Sequence, residues 1–139
     1  MVQLIVGEKG KGKTKYLLDK VNTEIKQVAG NIVYLDKSTK HMFELNNKVR
    51  LIDVSDYMID NCDAFLGFIS GIISQDHDLQ QMYFDSFINI AKLEGQSILD
   101  VVNKLEALSA KFDVDFVLSA SINEAQLEEE LKSKIIVSL

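Results

Sequence analysis

The chain has 139 residues, 47% of them hydrophobic, and a formal charge of −6 at pH 7, which suits one folded unit with a substantial core. The acidic balance argues against nucleic acid as the default partner, since phosphate backbones are bound by clustered Lys and Arg. No apolar run approaches the roughly 20 residues that span a bilayer, and the only cysteine, Cys62, excludes an internal disulfide, so a cytoplasmic single domain over residues 1–139 is expected.

In chain order, Val2–Val6 (VQLIV) predicts a first strand. The next eight residues, Gly7-Glu8-Lys9-Gly10-Lys11-Gly12-Lys13-Thr14, fit the pattern Gly-x4-Gly-Lys-Ser/Thr in full. They open a helix predicted over Lys13–Val28, where Leu17, Leu18, Val21, Ile25 and Val28 recur at helical spacing and Gly30 acts as the stop. A strand, a glycine-rich turn and a helix N-terminus in this order make a phosphate-binding loop. Glycines at positive φ let the backbone approach phosphate oxygens, and the helix adds its dipole. The expected ligand is ATP with Mg²⁺, contacted through Gly7, Gly10, Lys11, Gly12, Lys13, Thr14 and Lys15. Lys13 is expected to reach the β and γ phosphates, and the Thr14 hydroxyl to complete the Mg²⁺ coordination.

Ile32–Leu35 and Val49–Val54 predict a second and a third strand, joined by a polar loop from Lys37 to Lys48. Ser55 or Asp56 is expected to cap a helical region that continues to Ser74 with a break near Asp60. Gln80–Phe84 predicts a strand ending at Asp85, followed directly by a helix that stops near Gly95. Ser97 and Asp100 read as a capping pair for the next helix, striped by Ile98, Val101, Val102, Leu105 and Leu108. Asp115–Ala120 predicts a strand, Asn123–Leu131 an acidic helix, and Lys134–Leu139 a final strand. This alternation predicts an α/β fold in three layers, with a mainly parallel sheet of five or six strands flanked by helices.

A magnesium site in such a fold needs an acidic residue at the carboxyl end of a neighbouring strand. Asp36, Asp53 and Asp85 each end an apolar run. Asp85 is preferred, with Asp36 second, because it follows a long helical excursion and precedes another helix. Asp85 is therefore expected to hold the metal with Thr14 and to share any catalysis with Lys13. His41 and His77 have no cysteine near them and do not suggest a metal site.

These residues resemble the Walker A loop and Walker B aspartate of P-loop NTPases, and the element order resembles the RecA-like division. The resemblance implies a P-loop NTPase fold, with Asp85 as the Walker B residue and Ser119 or Ser121 as a polar sensor of the γ-phosphate. The glutamate often found beside that aspartate is replaced, since Ser86 and Phe87 follow Asp85, which implies slow hydrolysis. The chain is also similar to small stand-alone bacterial P-loop proteins labelled as twitching-motility ATPases, with which it shares the nucleotide-binding core. Gly10–Thr14 (GKGKT) resembles the loop of corrinoid adenosyltransferases.

Composition narrows the function further. One arginine, Arg50, stands against 14 lysines, too few for the arginine-bearing lid of P-loop small-molecule kinases. Through residue 50 there are ten basic and five acidic residues, and beyond it five and sixteen, so the expected phosphate site lies in the positive part. The expectation is a slow ATPase or a nucleotide-dependent switch that acts through a protein partner or a homo-oligomer. The loop 37–48 is the segment a bound γ-phosphate would order. A nucleoside or metabolite kinase and a non-catalytic binding module are the alternatives.

Overall fold

In the computed structural model, which describes residues 1–139, each short apolar run predicted as a strand becomes a strand of one sheet. The strands are β1 (Val2–Gly7), β2 (Asn31–Asp36), β3 (Arg50–Asp53), β4 (Leu79–Phe84), β5 (Asp115–Ser121) and β6 (Ile135–Ser138). Their order is β3-β2-β4-β5-β1-β6, and every pairing is parallel. The helices are α1 (Lys13–Glu24), α2 (Cys62–Gln75), α3 (Phe87–Ile90), α4 (Leu99–Phe112) and α5 (Glu129–Lys132). The expected α/β architecture of a parallel sheet between helices is thus present, and no helix is long and apolar enough to cross a membrane.

Successive residues of a strand face opposite sides of a sheet, so these near-continuous apolar strands supply two cores. On one side Ile5, Tyr34, Tyr83 and Val117 pack against Leu17, Leu18, Val21 and Ile25, the stripe of α1. On the other, Leu4, Leu35, Phe84 and Phe116 pack against α2, α3 and α4 through Phe65, Ile69, Phe87, Val102 and Leu105. Phe84 is the hub of an aromatic cluster, with ring centroids 5.3 Å from Phe65, 6.1 Å from Phe87 and 5.6 Å from Phe116. Each such ring contributes about 1.5–3 kcal/mol by leaving water. The cluster anchors the backbone immediately before Asp85.

Several local expectations are corrected. Helix α1 ends at Glu24, and Gly30 does not stop it. A Cβ on Gly30 would lie 2.0 Å from the Asp78 carbonyl oxygen, so the glycine permits close approach of two backbones. The cap of α2 is Asn61, whose side chain accepts from Ala64 N–H, while Ser55 and Asp56 belong to a 3₁₀ turn capped by Asp53. The helix expected from Asp85 to Gly95 is only the single turn α3, because Lys92 (φ 59) and Gly95 (φ 72) turn the chain left-handed. Ser97 does accept a hydrogen bond from Leu99 N–H, but Asp100 pairs with Lys104 at 3.2 Å instead of reaching back. The helix expected over Asn123–Leu131 divides into a 3₁₀ turn, Glu124–Gln126, and α5, because extended backbone at Leu127 delivers that side chain to the core.

Because all six strands are parallel, their carboxyl ends lie along one margin of the sheet. Asp36 and Asp85 come to neighbouring positions there, since Leu35 is in register with Phe84 and Asp85 N–H donates to the Leu35 carbonyl at 2.9 Å. Strand β5 lies between β4 and β1, so Ser119 and Ser121 stand between Asp85 and the glycine-rich loop.

Candidate functional site

At that margin is a cleft of about 500 Å³ whose lining is almost wholly polar. Lys9, Gly10, Gly12, Lys13 and Thr14 form one wall, Asp36, Lys37, Ser38, Lys40 and His41 another, and Asp85, Ser86, Ser119 and Ser121 the floor. Ligands of open parallel α/β sheets bind at such carboxyl-end crevices.

Gly7, Gly10 and Gly12 have φ of 153, 85 and 91, a backbone that side chains with a Cβ rarely adopt. Gly12 is the N-cap of α1, so this helix starts with no side-chain cap and no acidic residue in its first turn. The first N–H groups of a helix lack intrahelical partners, and a start of this kind leaves them to solvent or an anion. Lys13 is 8% exposed, and its Nζ donates to the Glu8 carbonyl at 3.0 Å. Burial pulls its pKa below the ordinary lysine value, opposed by the charge of Asp85.

Asp85 is buried and accepts three side-chain hydrogen bonds. Its Oδ1 accepts from Thr14 Oγ1 at 3.1 Å and from Ser119 Oγ at 3.0 Å, and its Oδ2 accepts from Tyr34 OH at 2.8 Å. Ser119 in turn accepts from Ser86 N–H at 3.0 Å. Ser86 has φ 54, a left-handed backbone that is uncommon for serine and is held here by that bond. Tyr34 is fully buried, and burial together with the adjacent Asp85 raises its pKa, so the phenol keeps its proton and remains a donor.

Asp36 is as buried as Asp85, at 3% exposed, but less well satisfied. Its Oδ1 accepts from Lys37 N–H at 2.7 Å, whereas Oδ2 has no partner. Burial, and then the charge of Asp85, raises its pKa. A ring nitrogen of His41 and oxygens of Asp36 and Asp85 all lie within 4.8 Å of one another.

The structure thus brings Gly10, Gly12, Lys13, Thr14, Asp85, Ser119 and Ser121 to one cleft. Gly7 is buried at the end of β1. Lys11 is exposed outside the cleft lining, and Lys15 faces Asp19 at 3.9 Å on the surface of α1. Asp53 is spent on capping Ser55, and Arg50 opens β3 at the far margin of the sheet. His77 is exposed in a turn held by Asp76, which accepts from Asp78 N–H.

Sequence reasoning missed Tyr34 and the grouping of His41 with two aspartates. Tyr34 reads as one more apolar residue of a strand. His41 has no cysteine near it in the sequence, and its neighbours come from the ends of β2 and β4, which only the strand order brings together. No protein-family model and no curated protein matches the sequence.

Proposed function

We propose that this chain binds ATP with Mg²⁺ in the cleft and acts as a slow ATPase or as a nucleotide-dependent switch read by a protein partner. The observation that carries the reading is the 3.1 Å contact between the Thr14 hydroxyl and Asp85, made in the first turn of a helix whose uncapped start opens on the glycine-rich loop. The donor set suits magnesium, a hard cation that takes one or two protein oxygens and keeps several waters. Thr14 would hold it directly and Asp85 through water, and when bound it neutralises charge on the β and γ phosphate oxygens.

The chain's own groups supply the rest. Lys13 exchanges the Glu8 carbonyl for phosphate oxygens, and the anion restores its affinity for its proton. Tyr34 and Ser119 fix the orientation of the Asp85 carboxylate through their hydrogen bonds. Slow turnover follows from Ser86, where a carboxylate beside Asp85 would be needed to position water. A partner is supported by the segment 37–48, which lines the cleft from Lys37 to His41 and then presents Phe43, 93% exposed, to solvent. A small-molecule kinase is the second reading, favoured by Lys37 and Lys40 on the cleft wall, where they would stand in for absent arginines.

Calorimetric titration with ATP, ADP and GTP in Mg²⁺, followed by phosphate release from the same samples, tests this directly. Binding with little turnover is expected. Lys13→Ala should weaken ATP binding by about 100-fold or more while leaving the circular dichroism spectrum unchanged. Unchanged affinity in that variant would overturn the assignment of the loop.

A further inference from the structure

We propose that Asp36, His41 and Asp85 form a binding site for a divalent first-row transition ion, represented by Mn²⁺, that fills without nucleotide.

Three observations meet at this point. The parallel register sets Asp36 and Asp85 side by side at the ends of β2 and β4, both buried, and neither takes part in a salt bridge. Two buried carboxylates side by side, neither closed into an ion pair, oppose one another, and a bound cation relieves them. Second, the Asp36 Oδ2 atom is buried without a hydrogen-bond partner, although Asp85 beside it has three donors. A carboxylate oxygen left this way loses roughly 1–3 kcal/mol or more to desolvation, which a metal bond recovers.

Third, His41 adds a nitrogen to the two oxygens, all within 4.8 Å of one another. Ligands bound at about 2.1 Å stand about 3.0–3.4 Å apart at octahedral or tetrahedral angles around one ion, so the group contracts by up to about 1.5 Å as it closes on the metal. His41 sits on the polar connection between β2 and β3 and can supply that movement. Its Nδ1 lies 3.2 Å from Glu44 Oε2. With the proton on Nδ1 this is a hydrogen bond to a carboxylate, which leaves the Nε2 lone pair free and makes the ring a better ligand.

The imidazole decides the ion class. Magnesium prefers oxygen ligands and an octahedral shell rich in water, whereas a site with one nitrogen and two carboxylates favours manganese, iron, cobalt or zinc. Three protein ligands leave the remaining positions open to water or to a ligand in the cleft. The inference does not depend on the nucleotide reading, because every ligand belongs to the chain.

The test is a titration of the purified, chelator-treated, nucleotide-free protein with Mn²⁺. The electron paramagnetic resonance signal of free Mn²⁺ is followed, and Mg²⁺ is titrated by calorimetry in parallel. One Mn²⁺ per chain is expected, bound at least about tenfold more tightly than Mg²⁺. His41→Ala should weaken Mn²⁺ at least about tenfold, and Asp36→Asn should abolish stoichiometric binding, both with an unchanged circular dichroism spectrum. No stoichiometric Mn²⁺, equal affinity for Mg²⁺, or an unchanged Mn²⁺ affinity in His41→Ala would each overturn the proposal.

Discussion

Asp85 draws donors from three separate elements, Thr14 on α1, Tyr34 on β2 and Ser119 on β5, and the residue-scale predictions start from it. Tyr34→Phe removes the donor to Oδ2 within the sheet and should destabilise the protein by about 1–3 kcal/mol in urea titration. Asp85→Asn should weaken the Mg²⁺ dependence of ATP binding more than Asp36→Asn does, because only Asp85 meets Thr14. The reverse ranking in calorimetry would make Asp36 the metal-side aspartate. The same Asp36→Asn variant should melt a few degrees higher than the parent in metal-free buffer, since it removes a buried charge with an unpartnered oxygen beside a second carboxylate. A lower melting temperature would mean that Asp36 contributes to the fold as it stands. Lys13, Thr14 and Asp85 were legible in the sequence because a motif or a strand end marks them. Tyr34 was not, because a buried phenol and a buried phenylalanine leave the same apolar trace in a strand.

At the scale of elements, the position of strands was easier to read than their bounds, and helix ends were hardest. Apolar runs of four to six residues have one use in a buried parallel sheet. Helix ends depend on small polar contacts such as the Asn61 cap, and on close approaches such as Gly30 against Asp78. Gly30→Ala should therefore cost about 3 kcal/mol or more, as overpacking against backbone that cannot yield. A variant as stable as the parent in urea would show that the two backbones separate freely. A second contact ties α4 to β1 and to the residue before β6. Glu106 Oε1 accepts from Val2 N–H at 2.7 Å and from Lys134 Nζ at 2.8 Å. Burial alone would raise the Glu106 pKa, but these donors outweigh it and the pKa is lowered. Its stabilisation is therefore present above the unfolded-state pKa and is lost as pH falls through the folded-state value. Glu106→Gln should flatten that acid limb in urea denaturation and cost about 1 kcal/mol at neutral pH; an acid limb identical to the parent's would remove the assignment.

For the whole molecule, the α/β class followed from the alternation of strand-like and helical runs, because only a parallel sheet with covered faces uses so many apolar strands. The strand order could not be read in the same way. Nothing local in Asp36, His41 or Asp85 states that β2 and β4 are neighbours, although the cleft depends on that adjacency. The order also joins the site to both cores, since Tyr34 stacks on Tyr83 with ring centroids 6.4 Å apart on the α1 side, while Phe84 supports Asp85 from the other. The chain has no tryptophan and four tyrosines. Its near-ultraviolet absorption and emission are therefore tyrosine signals, and one of the four phenols is bonded to the carboxylate at the floor of the cleft. Any ligand that repositions Asp85 changes the electric field on that ring, so occupancy should be visible as a tyrosine difference spectrum without any attached label.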